Sequence, residues 1–141
     1  MLHKRDIAFL KKAGKISQAS DFDRVHIGCI AVDKNISVAC GFNTYKTHPM
    51  QREYDKYRDL NTSDKVSNLH AMHAEMMCLN ALRGSNIRLD KVKLYIYRSM
   101  ISKPFGMARP CKACMKRIKD MGIKHIYYTT DDGYAYEYLD S

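Results

Sequence analysis

Apolar positions recur along the chain with two distinct periods. Near the N-terminus, Ile7, Leu10, Ala13 and Ile16 fall at helical spacing with lysines between them, which predicts a helix over residues 3–20. Val25–Val32 reads VHIGCIAV, a β-branched and nearly continuous apolar run of the kind that fills a central strand. Asp33, Lys34 and Asn35 supply a turn, and Ile36–Phe42 returns as a second strand, so the two form a hairpin. A third strand is expected over Val92–Arg98, a fourth over Ile123–Thr130 and a fifth over Tyr134–Leu139.

Residues 72–83 are apolar nearly all round, as in a helix buried in the middle of a fold, and Gly84 is a fitting stop. Another helix is expected over Cys111–Met121, ended by Gly122. The order α-β-β-α-β-α-β-β makes one mixed sheet with helices packed on it. Only Asp131, Asp132 and Gly133 separate the last two strands, too few residues for a parallel crossover, so that pair is expected to be antiparallel. Residues 43–69 are polar and long for a connection, which marks them as functional. Within them Pro49 opens a short helix with Met50, Tyr54 and Tyr57 on one side. Lys46, Arg52, Lys56 and Arg58 alternate with these residues, which suits either a nucleic-acid surface or a helix resting its tyrosines on the core.

Composition narrows the class. The chain has 141 residues, 45% of them apolar and 28% charged, which fits one globular domain over residues 1–141. No apolar run approaches the ~20 residues of a membrane span. The opening MLHKRDIAFLKKAGK carries charges where a signal peptide needs its apolar stretch, so a cytoplasmic protein with no membrane partner is expected. In that compartment Cys29, Cys40 and Cys78, each inside an apolar run, read as buried small hydrophobes. A net charge of +9 points to phosphate-bearing partners or simply to solubility.

Cys111 and Cys114 stand apart, because they follow Pro110 at C-x-x-C spacing. At i and i+3 of a helix N-terminus they point the same way, and the helix dipole favours their thiolates. Thiolate and imidazole suit zinc, and two cysteines with one histidine leave a fourth position for water, as in catalytic zinc sites. Two histidines compete for the third place. His73 opens His73-Ala74-Glu75 at a first helical turn, where Glu75 can sit beside the metal rather than on it. His70 precedes the helix and reads as a loop residue that lines the pocket or caps the helix.

His73-Ala74-Glu75 together with Pro110-Cys111-Lys112-Ala113-Cys114 resembles the H-x-E…P-C-x-x-C signature of the zinc-dependent cytidine and deoxycytidylate deaminase superfamily. The resemblance covers roughly residues 5–139. It implies a three-layer α-β-α cytidine-deaminase-like fold with a five-stranded mixed sheet and an antiparallel final strand pair. It also implies one zinc ion on His73, Cys111 and Cys114, and hydrolytic conversion of cytosine to uracil with release of ammonia. Glu75 is then the catalytic acid/base. Gly41-Phe42-Asn43 resembles the G-x-N whose asparagine contacts the substrate sugar in relatives, so Asn43 joins Ala74, Arg109, Arg98 and His70 in the expected substrate-binding set.

Departures from the pattern bear on the substrate. Asn43-Thr44-Tyr45 lacks the glutamate that helps hold ribose in many cytidine deaminases. Arg109 stands where many relatives place a glutamate before Pro-Cys, and with Arg98 it offers a phosphate contact or else pairs with a carboxylate. The leading expectation is therefore a small-molecule cytosine nucleoside or nucleotide. Single-stranded DNA or RNA is the alternative partner, supported by the charge and residues 45–58. A non-catalytic zinc-stabilised nucleic-acid-binding module is the third reading, and it leaves Glu75 without a role. Related small deaminases often form homo-oligomers, and Lys112, Lys116 and Lys119 lie on a flank that suits an interface or solvent.

Overall fold

The computed structural model describes residues 2–22, 24–57, 71–103 and 105–140. Helix α1 (Lys4–Ser17) leads into the hairpin of β1 (His26–Asp33) and β2 (Ile36–Phe42). Lys34 and Asn35 turn that hairpin with φ of 50° and 65°, the left-handed pair a tight hairpin needs. A short helix α2 (Pro49–Asp55) follows, then α3 (Ala74–Leu82), β3 (Lys93–Ser99), α4 (Lys112–Asp120), β4 (His125–Thr129) and β5 (Tyr134–Tyr138). Helices α3 and α4 both end at a glycine with positive φ, Gly84 at 81° and Gly122 at 86°.

The five strands form one sheet in the order β2-β1-β3-β4-β5. β3 and β4 are parallel and the other neighbouring pairs antiparallel, including the final one, which registers Tyr127 against Tyr136. Alternation sorts the side chains onto two faces. Cys29, Ala31, Leu94, Ile96, Ile126 and Tyr128 face α3 and α4, while Ile30, Val32, Tyr95 and Tyr127 face α1. The result is three layers, α1 on one side of the sheet and α3 with α4 on the other, as the family resemblance implied. No helix among the described residues is long and apolar enough to cross a membrane.

Three expectations change. The helices are shorter than the ranges expected, and each starts after its N-cap, since His3, His73 and Cys111 hold extended backbone rather than a first turn. Cys40 is exposed, not buried, because β2 is an edge strand whose Ile36, Val38 and Cys40 face outward and stay exposed. Helix α2 buries Gln51 and Asp55 and leaves Met50 and Tyr54 only partly covered and Tyr57 exposed.

Gly41 sets how closely α3 can approach the sheet. A Cβ added there would run into the Ala74 carbonyl and lie 2.5 Å from the Cys78 nitrogen, both of them backbone atoms that cannot swing aside. Helix α3 rests directly on β2 at its own first turn, so Gly41 fixes the height of that turn above the sheet. Gly41→Ala is expected to destabilise the fold by about 1–3 kcal/mol, the usual range for overpacking. A denaturant midpoint unchanged from the parent would show that α3 does not seat there.

Candidate active site

The N-termini of α3 and α4 meet over one end of the sheet. His73 is the N-cap of α3 and Cys111 the N-cap of α4, and neither side chain caps its helix. Both side chains turn instead toward a common point. His73 Nδ1 lies 3.5 Å from Cys111 Sγ and 3.4 Å from Cys114 Sγ. Zinc–nitrogen and zinc–sulfur bonds of about 2.05 and 2.3 Å at a tetrahedral angle hold N and S about 3.5 Å apart. The donor set and its spacing therefore fit one zinc ion, and these three residues are the group among the described residues whose donor atoms converge for a metal.

The electrostatics of the pair agree with that use. The Cys114 thiol, more than any other neighbour, holds the Cys111 thiol down to about 4, with His73 adding to the effect against desolvation. The same contact drives Cys114 upward, aided by its burial. Both sulfurs also lie at the positive end of α4.

Glu75 sits in the first turn of α3 and is 5% exposed. Burial pushes its carboxyl up to about 7, which nearby His73 opposes and Cys111 reinforces. No other described side chain hydrogen-bonds it. A desolvated carboxyl beside a zinc donor set can accept and release a proton near neutral pH.

The neighbouring structure holds His73 in place from several sides. Leaving β2, the chain pairs Thr44 with Met72 through two backbone hydrogen bonds of 3.0 Å, which brings residue 72 alongside the sheet. Gln51 of α2 is fully buried, and its Oε1 accepts the His73 backbone N–H at 2.9 Å. Arg117 of α4, 2% exposed, donates through Nη1 to Asn80 Oδ1 at 2.6 Å and so ties α4 to α3. Sequence reasoning missed Gln51 and Arg117. Hydrophobic periodicity is blind to inward-facing polar residues, and the only trace of Gln51 was an i, i+4 spacing to Asp55.

The expected substrate-binding residues are placed unequally. Asn43 is 6% exposed, and its amide bridges two backbone groups, accepting from Ile27 N–H and donating to the Val25 carbonyl, each at 2.9 Å. Ala74 is fully buried in the first turn of α3. Arg98 donates through Nη1 to the Met107 carbonyl at 3.3 Å, its Nε is buried without a partner, and it does not line the cleft beside His73. Arg109 makes a two-pronged pair with Glu137, both contacts at 2.9 Å. That guanidinium, with the Tyr128 hydroxyl, holds the Glu137 carboxyl below the usual carboxylate range. His70 and Arg58 lie outside the described residues.

A cleft of about 660 Å³ opens beside the metal donors. His73, Cys111 and Arg109 line it, with Tyr57 from the end of α2 and a stripe of Lys112, Lys116 and Lys119 along α4. Lys116 pairs with Asp120 at 2.9 Å and lies 5.7 Å from the centre of the Tyr57 ring.

Comparison with known proteins agrees with this site. The family model for the cytidine and deoxycytidylate deaminase zinc-binding region matches residues 3–130. No curated protein matches the chain as a relative. Among solved structures, the dCMP deaminase of the cyanophage S-TIM5 in its apo form is 26% identical, with a TM-score of 0.64 over 93% of this chain and 86% of that one. The same cyanophage enzyme has been solved in complex with dCMP and dUMP, at 24% identity and a TM-score of 0.63 over 93% of this chain and 85% of that one. The cytidine deaminase of Burkholderia pseudomallei shares the fold at 14% identity, with a TM-score of 0.63 over 98% of this chain and 93% of that one.

One zinc per chain is expected by metal analysis after dialysis. Alanine at His73, Cys111 or Cys114 should each lower that occupancy, because two remaining donors form an incomplete site. Full occupancy in Cys114→Ala would place the metal elsewhere.

Proposed function

The chain belongs to the cytidine and deoxycytidylate deaminase family, and from that premise we propose that it deaminates cytosine in a free, phosphorylated nucleoside. Water adds to the amine-bearing carbon, the carbon–nitrogen bond breaks, and ammonia leaves a uracil product. The observation that carries the phosphorylated substrate is the cleft. The space that reaches His73 and Cys111 is also lined by Arg109, Lys112, Lys116 and Lys119. A cationic wall beside the reacting centre suits a phosphate ester better than a neutral nucleoside. The cyanophage relative solved with dCMP and dUMP supports the same substrate class.

His73, Cys111 and Cys114 would hold the zinc, whose chemistry is to make water nucleophilic at neutral pH. Glu75 moves the protons. Its carboxyl takes one from the attacking water, hands it to the ring nitrogen next to the reacting carbon, and carries a second to the departing amine. Burial suits it to both roles, because a carboxyl poised near neutrality neither holds its proton too tightly nor releases it too readily.

Single-stranded nucleic acid is the second reading. It is favoured by the stripe of Lys112, Lys116 and Lys119 with Tyr57 beside it, since cations next to an aromatic ring suit a strand of stacked bases.

Zinc-loaded protein incubated with cytidine, deoxycytidine, dCMP and a cytosine-containing oligonucleotide should convert dCMP with the highest kcat/KM. Conversion of the oligonucleotide alone would overturn the proposal in favour of the second reading. Glu75→Gln should keep its zinc and lose about 10²–10⁴-fold in turnover, the usual worth of a positioned acid/base. Parental turnover in that variant would remove Glu75 from the reaction.

A further inference from the structure

Helix α2 is amphipathic in an inverted sense. Its most buried side chains are polar, Gln51 with no exposed surface and Asp55 at 4%. Burying an amide and a carboxyl is costly unless each finds a hydrogen-bond partner. The carboxamide of Gln51 bonds at both ends: Oε1 accepts the His73 backbone N–H at 2.9 Å, and Nε2 donates to Asp55 Oδ1 at 2.6 Å. Those contacts fix which end of the amide faces which way. A backbone N–H requires the oxygen, and a carboxylate requires the nitrogen.

His73 needs such support from outside its own helix. As the N-cap it has an extended backbone, with φ −79° and ψ 154°, outside the helical hydrogen-bond ladder of α3. Its imidazole is turned toward the two sulfurs and cannot cap the helix. Either side of it the backbone is fixed: Met72 N–H donates to Thr44 and Lys46 carbonyls at 3.0 and 2.9 Å, and the His73 carbonyl accepts Met77 N–H at 3.1 Å. The His73 N–H is the remaining backbone group at the ligand, and Gln51 takes it.

We propose that Gln51 is a positioning residue for the metal centre, holding the backbone of His73 in register with Cys111 and Cys114, and that Asp55 orients its amide. This rests on the reading of His73, Cys111 and Cys114 as the zinc ligands. Groups behind a metal ligand commonly change metal affinity by about 10–100-fold when removed.

Zinc affinity is measured by competition with a chromophoric chelator, and coordination by the visible spectrum of the cobalt-substituted protein. Gln51→Leu is expected to weaken zinc binding by about 10–100-fold and to shift the cobalt bands. Gln51→Glu keeps an acceptor for His73 but sets two carboxylates face to face, so it too should weaken binding. Adding Asp55→Asn to Gln51→Glu restores one donor and one acceptor across the contact, and should recover most of the lost affinity and the parental spectrum. A role limited to general stability would move the melting temperature without moving the cobalt bands. Parental zinc affinity in Gln51→Leu, or no recovery in the Gln51→Glu/Asp55→Asn variant, overturns the proposal alone. The second comparison stands even where Gln51→Leu fails to fold. Retention of zinc by His73→Ala would instead bring down the metal site and the proposal with it.

Discussion

Everything at this site depends on two helix N-termini being brought together at bonding distance. His73 and the two cysteines are separated by 38 and 41 residues along the chain, yet their donor atoms lie 3.4–3.5 Å apart. No local interaction can achieve that, so the sheet acts as the jig. Gly41 lets the first turn of α3 rest on β2, and the parallel β3–β4 pair returns α4 to the same face. Arg117 then links the two helices through Asn80 and the Met76 carbonyl. A displacement of one ångström between α3 and α4 would exceed the tolerance of a metal–ligand bond. That is why so many contacts around the site are buried polar ones, whose geometry is sharper than that of apolar packing.

The convergence also sets the electrostatics. Two helix dipoles aim their positive ends at the same small volume, which favours thiolate on α4 and carboxylate on α3. Desolvation acts the other way on both. For Glu75 burial wins and lifts the carboxyl to about 7, while for Cys111 the neighbouring thiol and imidazole win and draw it down to about 4. The same enclosure therefore leaves one group able to exchange protons and another ready to bind metal. The difference lies in which partners each group faces: a hydrogen-bonded thiol and imidazole for Cys111, and among the described residues no side-chain hydrogen bond for Glu75.

The element order, the antiparallel final pair and the motif that carries the metal donors were legible because each is written in a local pattern. Period two or 3.6 marks the elements, the three-residue turn at Asp131–Gly133 dictates an antiparallel return, and C-x-x-C with H-x-E names the donors. What was not legible depended on facts outside any window. Cys40 looks as apolar as Cys29, and only the position of β2 at the sheet edge exposes it. Gln51 and Asp55 look like surface residues of a charged helix, and only the contact of Gln51 with His73, 22 residues downstream, shows why the pair turns inward. Arg109 was legible as a cation beside the cysteines, but its partner Glu137 belongs to β5, across the sheet edge from α4. Asn43 was assigned by resemblance to a sugar contact, while its amide here bridges Val25 and Ile27.

The cationic cleft offers less free charge than its residue types suggest, and this bears on what it can hold. Arg109 is held on two prongs by Glu137, and Lys116 is paired with Asp120, which Tyr54 also engages at 2.8 Å. An incoming phosphate must compete with a carboxylate for each of these cations. A polynucleotide track works differently, since its affinity comes from many cations releasing counterions along several phosphates at once. Cations already neutralised by carboxylates contribute little to that release. One phosphate monoester, with a charge of about −1.5 to −2, needs only a few donors near a single point, which is all the proposed nucleotide would ask of this wall. For the nucleotide substrate proposed above, the pairing of Arg109 with Glu137 and of Lys116 with Asp120 argues against a long polyanionic track, even on a chain with a net charge of +9.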